Sequence, residues 1–478
     1  MNKSFFWHDY ETWGSDPRRD RAAQFAGLRT DEDLNPVGEP LVLYCQPADD
    51  LLPHPDACLV TGITPQRAEA EGIPESDFAA AIERELARGG TCGAGYNSIR
   101  FDDEVTRHLF YRNFFDPYAR EWRNGNSRWD LIDTVRLAHA LRPEGIEWPK
   151  RDDGSASFRL EHLTAANGIE HAGAHDALSD VRATLALARL LKACQPRLFD
   201  YALTLRAKPL VEELLAKGEP LLHVSARYSA ELGCIAPVLP VARHPVNGNG
   251  VIVFDLRHDP EPLLALSAED IHWRLFTRAE ELPAGVERIP LKTVHINRCP
   301  ILCPMKTLDP AAAERWGIDP ARVADHARRL TEAEALAHKL RQVHLMAKLP
   351  PDSDPDLMLY SGGFFPDSDR REMARVRKLG PDELRVSRFE FQDPRLPTML
   401  FRYRARNWPQ TLKPDEREQW DAYRFERLTD PQGGASITID PYQQRLTELR
   451  DGAAGEPGQI ALVEELEQWA ERIFDTAG

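Results

Sequence analysis

The chain opens on an apolar run, Phe5-Phe6-Trp7, that passes directly into His8-Asp9-Tyr10-Glu11-Thr12. A short apolar run of this kind predicts a buried strand. Positions i and i+2 of a strand share a face, so Asp9 and Glu11 present two carboxylates side by side. Leu41 to Cys45 predicts another strand, Phe78 to Leu86 has helical spacing, and Cys92 to Tyr96 reads as a strand ending in turn residues. Asp102 opens a helix that covers Glu104 to Phe115. A further helix follows Trp129-Asp130, and one more runs from about Asp176 to Lys192. Strands mixed with helices in this way over residues 1–195 predict an α/β layer fold.

The pattern changes at Gln195-Pro196-Arg197. From Leu221 to Pro304 the apolar runs become short, β-branched and separated by turns. His244-Pro245-Val246-Asn247-Gly248-Asn249-Gly250 ahead of Val251-Ile252-Val253-Phe254 is a hairpin signal. Residues 196–349 therefore read as a small β-rich domain with a helical tail from Asp319 to Leu349. The stretch Pro350 to Pro355 reads as a linker. The remainder, residues 350–478, is mostly helical in pattern and ends in an amphipathic helix from Gln459 to Phe474.

Composition sharpens this outline. A chain of 478 residues is too long for one core, and roughly three domains is the expectation. No stretch approaches the ~20 apolar residues of a membrane helix. The first residues lack an apolar signal region, which leads us to expect an unprocessed, cytoplasmic protein. The seven cysteines are scattered, and Cys299 and Cys303, the close pair, lack further partners for zinc. They read as thiols in a reducing compartment. The net charge of −16 argues against a general nucleic-acid coat, because such affinity comes from Lys and Arg neutralising phosphates. It leaves room for a nucleic-acid enzyme, since basic tracks steer substrate locally and a metal reverses the sign of an acidic site. No heptad seam is visible, so a monomer is expected.

Two adjacent carboxylates do not both stay ionised cheaply unless a cation lies between them. Two divalent ions roughly 4 Å apart activate water and clamp the oxygens of a phosphodiester. Mg²⁺ and Mn²⁺ take oxygen ligands. Asp9, Glu11, Asp102 and Asp180 would supply four carboxylates, and His175 is the natural proton acceptor. Each has a plainer reading alone. Asp102, Asp103 and Asp176 could cap helices, Asp180 could be a solvated residue, and His175 a surface histidine. What points to chemistry is the order: acid-x-acid, then Phe-Asp, then His and Asp ahead of an amphipathic helix.

That order, Asp9-x-Glu11, Asn97-x-x-x-Phe101-Asp102 and His175-x-x-x-x-Asp180, resembles the DEDDh 3′→5′ exonucleases. Gly95-Tyr96-Asn97, Phe101 to Arg107, Ser127 to Asp130, Phe158 to Leu163, Gln195 to Tyr201 and Tyr403 to Asn407 extend the similarity to the bacterial exodeoxyribonuclease I family. The resemblance runs nearly end to end. It implies a ribonuclease-H-like α/β exonuclease domain over 1–195, an SH3-like β-rich domain over 196–349 and a mostly α-helical C-terminal domain over 350–478. It implies Asp9, Glu11, Asp102 and Asp180 as ligands of two Mg²⁺ ions, with Mn²⁺ able to substitute, and His175 as general base. The implied activity is Mg²⁺-dependent release of 5′-mononucleotides from single-stranded DNA in repair or recombination. Glu11 and Thr12 would grip the 3′-terminal nucleotide. Arg159 is a phosphate-contact candidate, although Ser157 capping the next helix explains the local sequence equally well.

A single-strand track needs cations for the backbone and aromatics for the bases. Arg107, Tyr118 and Trp122 are the candidates. The segment Phe401 to Trp408 would place its arginines on one face if extended. It could track DNA or form an arginine network that binds the helical domain to its neighbours. The resemblance also implies a partner, the acidic, apolar C-terminal tail of single-stranded-DNA-binding protein. Arg142 and Tyr201 are the candidate pocket residues. Two alternatives stay open: an exoribonuclease of the same class, and a non-catalytic single-strand-binding protein. The first differs only in how the 2′-hydroxyl is treated.

Overall fold

The computed structural model describes residues 3–171, 173, 175–346, 352–452 and 456–475. The chain divides into two compact units, one of residues 1–127, 172–182 and 351–478, the other of residues 128–171 and 183–350.

The first unit is built on strands β1 (Ser4–Thr12), β2 (Ala22–Thr30), β3 (Leu41–Tyr44) and β4 (Thr91–Gly95), in the order β3-β2-β1-β4. β1 runs antiparallel to β2 and parallel to β4. β2 has no counterpart in the sequence reading. All nine of its residues are buried, so it shows no alternation, and Ala22, Ala23, Ala26 and Gly27 carry little β signal. Phe6, Tyr10, Phe25, Phe78, Ile82, Val105 and Leu109 form a core that joins the sheet to helices Glu75–Leu86 and Asp102–Arg112. A second core in this unit joins Trp13 and Leu52 to Leu428, Tyr442, Leu466 and Trp469. The terminal helix spans Pro457–Asp475, close to the expected amphipathic segment. The start of the expected linker, residues 350 and 351, and the end of the helical tail, residues 347–349, lie outside the described residues.

A further strand, β5 (Ser127–Asp130), crosses the division and leads into helix Leu131–Leu141. In the second unit, β6 (Leu221–Val224), β7 (Ile235–Arg243), β8 (Gly250–Asp255), β9 (Leu291–His295) and β10 (Ile301–Pro304) form an antiparallel sheet in the order β10-β6-β7-β8-β9. The β7-β8 pair carries the turn that the Asn-Gly signal predicts. Its core includes Leu222, Ile235, Val253 and Phe254 with Leu330, Leu340 and Val343 of helices Pro320–Thr331 and Leu336–Met346. Among the described residues, no helix is long and apolar enough to cross a membrane. All seven cysteines are thiols.

Candidate active site

β1 sets the first two side chains. Its alternation sends Asp9 and Glu11 to one face and His8 and Tyr10 to the other. Asp102 is the first residue of its helix, and the helix begins two residues earlier than the sequence suggests. Asp102 does not cap that helix. Its Oδ1 accepts a hydrogen bond from the Tyr10 amide at 3.1 Å, which ties the helix start to the strand between the two acids. The Thr106 hydroxyl reinforces this, donating to the Asp102 carbonyl at 2.8 Å and bonding the Tyr10 hydroxyl at 3.0 Å. Asn97 turns the chain ahead of the helix with φ of 61°, a left-handed conformation that Asn tolerates.

Asp180 lies in the first turn of helix Ala177–Cys194. Gln24, opposite Glu11 in the β1-β2 register, holds the start of that helix. Its Oε1 accepts from the Ala177 amide and its Nε2 donates to Asp176 Oδ1, both at 3.1 Å. Asp176 caps the helix as expected, accepting from the Ser179 amide at 3.1 Å. Sequence reasoning passed over Gln24, and no motif marks it. His175 is exposed and takes a left-handed backbone with φ of 71°, a conformation that costs a non-glycine residue and clusters at functional sites.

These placements bring the sequence candidates together. Ligand atoms of Glu11, His175 and Asp180 all lie within 4.8 Å of one another. Burial, then the charges of Asp102, Glu11, Asp180 and Asp176, push the Asp9 carboxyl well above its ordinary range. Burial, then Asp180, Asp102 and Asp176, push Glu11 up to about 9. The charges that shift both groups are carboxylates, so a bound cation is what would let the cluster ionise. Carboxylate oxygens with one imidazole suit a divalent ion of the Mg²⁺ or Mn²⁺ type, and the donor set fits such a centre.

The remaining candidates divide. Thr12, at the end of β1, is buried and donates its hydroxyl to the Gly14 carbonyl at 2.6 Å. Arg107 is buried and engaged, contrary to an open strand contact. It donates to Glu121 at 2.7 and 2.9 Å, to Glu104 at 2.8 Å and to the Tyr360 hydroxyl at 3.1 Å. Its guanidinium also lies 5.4 Å from the centre of the Tyr118 ring. Tyr118 meets Phe364 edge-on and, with it, lines a cavity of about 290 Å³. Trp122 is 64% exposed.

Arg159, Arg142 and Tyr201 belong to the second unit. Arg159 is exposed and is itself the N-cap residue of helix Leu160–Ala166; the Ser157 hydroxyl bonds His162 at 2.8 Å instead of capping. Arg142 is half-exposed and reaches Asp309 at 3.1 Å. The Tyr201 hydroxyl donates to the Leu302 carbonyl at 2.7 Å. The segment around Arg402 to Arg406, whose arginines would share one face if it were extended, is part of helix Arg395–Asn407. Arg402 pairs with Asp356 at 3.1 Å, Arg404 with Glu416 at 2.8 Å, and Arg406 with Asp50 and Asp356 at 2.9 and 2.7 Å. This is the network reading, with alternation replaced by helical spacing.

Comparison with known proteins decides the family. The family model described as Exonuclease matches residues 6–188, the Exonuclease I SH3-like domain residues 206–345, and the Exonuclease I C-terminal domain residues 353–473. Exodeoxyribonuclease I of Escherichia coli K12 is 46% identical, covering 99% of this chain and 98% of that protein. The chain belongs to the exodeoxyribonuclease I family. It is thus an enzyme with an exonuclease domain, an SH3-like domain and a C-terminal domain. Exonuclease I of Methylocaldum szegediense superposes with a TM-score of 0.95 at 52% identity, covering 98% of this chain and 99% of that one. E. coli Exonuclease I in complex with a dA16 oligonucleotide gives 0.94 at 46% identity, covering 98% and 100%. A zinc-bound form of the E. coli exonuclease I complex with single-stranded DNA gives 0.93 at 44% identity, covering 99% and 100%.

Proposed function

We propose that this member of the exodeoxyribonuclease I family degrades single-stranded DNA from its 3′ end, releasing 5′-mononucleotides, with Mg²⁺ as its working metal. The observation that carries this reading is the cluster itself, buried carboxylates raised by one another beside an exposed imidazole. Asp9, Glu11, Asp102 and Asp180 would hold two ions, which supply water activation and charge stabilisation at the phosphate when bound. The chain's own residues do the rest. His175 accepts the proton of the attacking water, from a backbone already fixed in an uncommon conformation. Thr12, whose hydroxyl proton points to Gly14, presents its oxygen lone pairs beside Glu11 to the terminal nucleotide. Exposed Trp122, with Tyr118, offers rings on which bases stack. Arg159 carries a guanidinium suited to a phosphate.

Three segments, 1–195, 196–349 and 350–478, are proposed as the domains. We assign the protein to the cytoplasm, as a monomer acting in DNA repair. Arg142 and Tyr201 are proposed to receive the acidic tail of a single-stranded-DNA-binding protein. The ion pair from Arg142 to Asp309 shows a cation already presented to a carboxylate.

The test follows a 5′-labelled single-stranded DNA with Mg²⁺, beside RNA of the same sequence and an EDTA control. Metal-dependent shortening of DNA from the 3′ end is the expected result. Shortening of RNA would overturn the substrate, and binding without shortening would leave a strand-binding protein.

A further inference from the structure

We infer that Arg120 is a positioning residue for Asp102, and that it works by clamping the segment that bears Tyr118 and Trp122 onto the helix that bears Asp102. This rests on the metal-site and strand readings above.

Asp103 follows Asp102 in the helix. Both Asp103 and Arg120 are buried, at 2% and 4% exposure, and their side chains form a short ion pair. The Asp103 amide donates to the Ser98 carbonyl at 2.8 Å. Successive helix residues project about 100° apart, so holding Asp103 fixes the rotation of the first turn and hence the direction of Asp102. The site makes room for the guanidinium. A Cβ on Gly93 of β4 would lie 3.2 Å from Arg120 Nη1 and 3.6 Å from the ring of His8 on β1. The pair therefore sits where sheet and helix meet, with His8 against it.

Arg120 belongs to the short turn Ala119–Glu121. Its neighbour Glu121 takes two bonds from Arg107, one helical turn beyond Asp103. The segment between Tyr118 and Trp122 is thus pinned to the Asp102 helix at two successive turns by two ion pairs of opposite polarity. A buried ion pair gives little stability over a well-packed apolar pair, and registry is its best-attested use. Here the register it holds is that of a metal-ligating carboxylate against a base-stacking surface. If the two share one rigid support, strand binding and metal binding strengthen one another reciprocally.

The experiment compares wild type with Arg120→Lys and with the double variant Asp103→Leu/Arg120→Met, which replaces the pair by apolar side chains. Thermal midpoint, kcat and KM on an oligonucleotide are measured. Mn²⁺ affinity is measured calorimetrically with and without a phosphorothioate strand. The expected double variant melts near wild type, loses about 10- to 100-fold in Mn²⁺ affinity or kcat, and shows a raised KM because the strand-stacking segment loses its support. The gain in Mn²⁺ affinity on adding strand is also lost, and Arg120→Lys moves the same way. A folded double variant with wild-type kcat and Mn²⁺ affinity would overturn the inference. So would failure of both variants to fold, which would assign the pair to stability alone. Absence of metal-dependent cleavage in wild type would instead sink the underlying functional reading.

Discussion

Two clusters of buried carboxylates in the first unit behave in opposite ways. At Asp9 and Glu11 the charges that shift each group are other carboxylates, and both acids are raised. At Asp50 burial alone would raise the carboxyl, but Arg21 and Arg406 override it and hold it well below the ordinary range. Asp356 is lowered in the same way by Arg406 and Arg402. Burial acts to raise the carboxyl in both places, yet the outcome is opposite. The difference lies in whether the fold supplies the counter-charge. Arg21 grips Asp50 through two bonds of 2.6 and 2.7 Å, and Arg406 bridges it to Asp356. That cluster is complete and joins the strand layer to the helical segment beyond residue 351. At the Asp9 cluster the neighbouring carboxylates raise one another, the arrangement that a bound cation would relieve.

The largest break in this contrast comes from Asp9→Asn. Metal-dependent cleavage should fall below detection in a gel assay, while the metal-free protein melts at or above the wild-type temperature because one repelling charge is gone. A marked fall in the metal-free melting temperature would place Asp9 with the structural acids.

Next comes Arg406→Met, which acts on the completed cluster. Leaving Asp50 and Asp356 buried with too few partners should cost about 3–5 kcal/mol, read by urea unfolding. The folded fraction at low temperature should keep its cleavage rate and its metal response. A changed metal response would mean that the two clusters are coupled.

The last test is the dependence of stability on pH, and its sign differs between the clusters. Glu11 has a folded pKa of about 9 against an ordinary 4.5, so the fold favours its protonated form. In EDTA its contribution is present below about pH 4.5 and is lost as pH rises toward 9. Asp50 is depressed, so its contribution is present above an unfolded carboxylate pKa of about 3.9 and fails as pH falls below it. Melting curves across this range should show both slopes. Saturating Mg²⁺ should flatten the upper one and release protons on binding. An upper slope indifferent to Mg²⁺ would remove the cation from the account.

Much of this site was legible because its signals are local. The strand β1 follows from three apolar residues, and the shared face of Asp9 and Glu11 follows from a period of two. The family motifs added Asp102, His175 and Asp180 by their order. The Asn-Gly turn marked the β7-β8 hairpin. Where the reading failed, the deciding contact was remote. β2 shows no alternation because it is buried on both faces. Arg107 carries a charge that suits DNA, yet Glu104, Glu121 and Tyr360 close around it. For Arg402, Arg404 and Arg406 both a DNA track and an arginine network were open from sequence, and the network forms with acids 12 to 356 positions away in the chain. The chain by itself determined which side chains are available and which local element each favours, because period and turn chemistry act over a few residues. Tertiary structure alone decided which carboxylates meet arginines and which meet one another. Charge pairing depends on distance in space, and that distance is set only when the sheet, the Asp102 helix and the segments beyond residue 351 have packed.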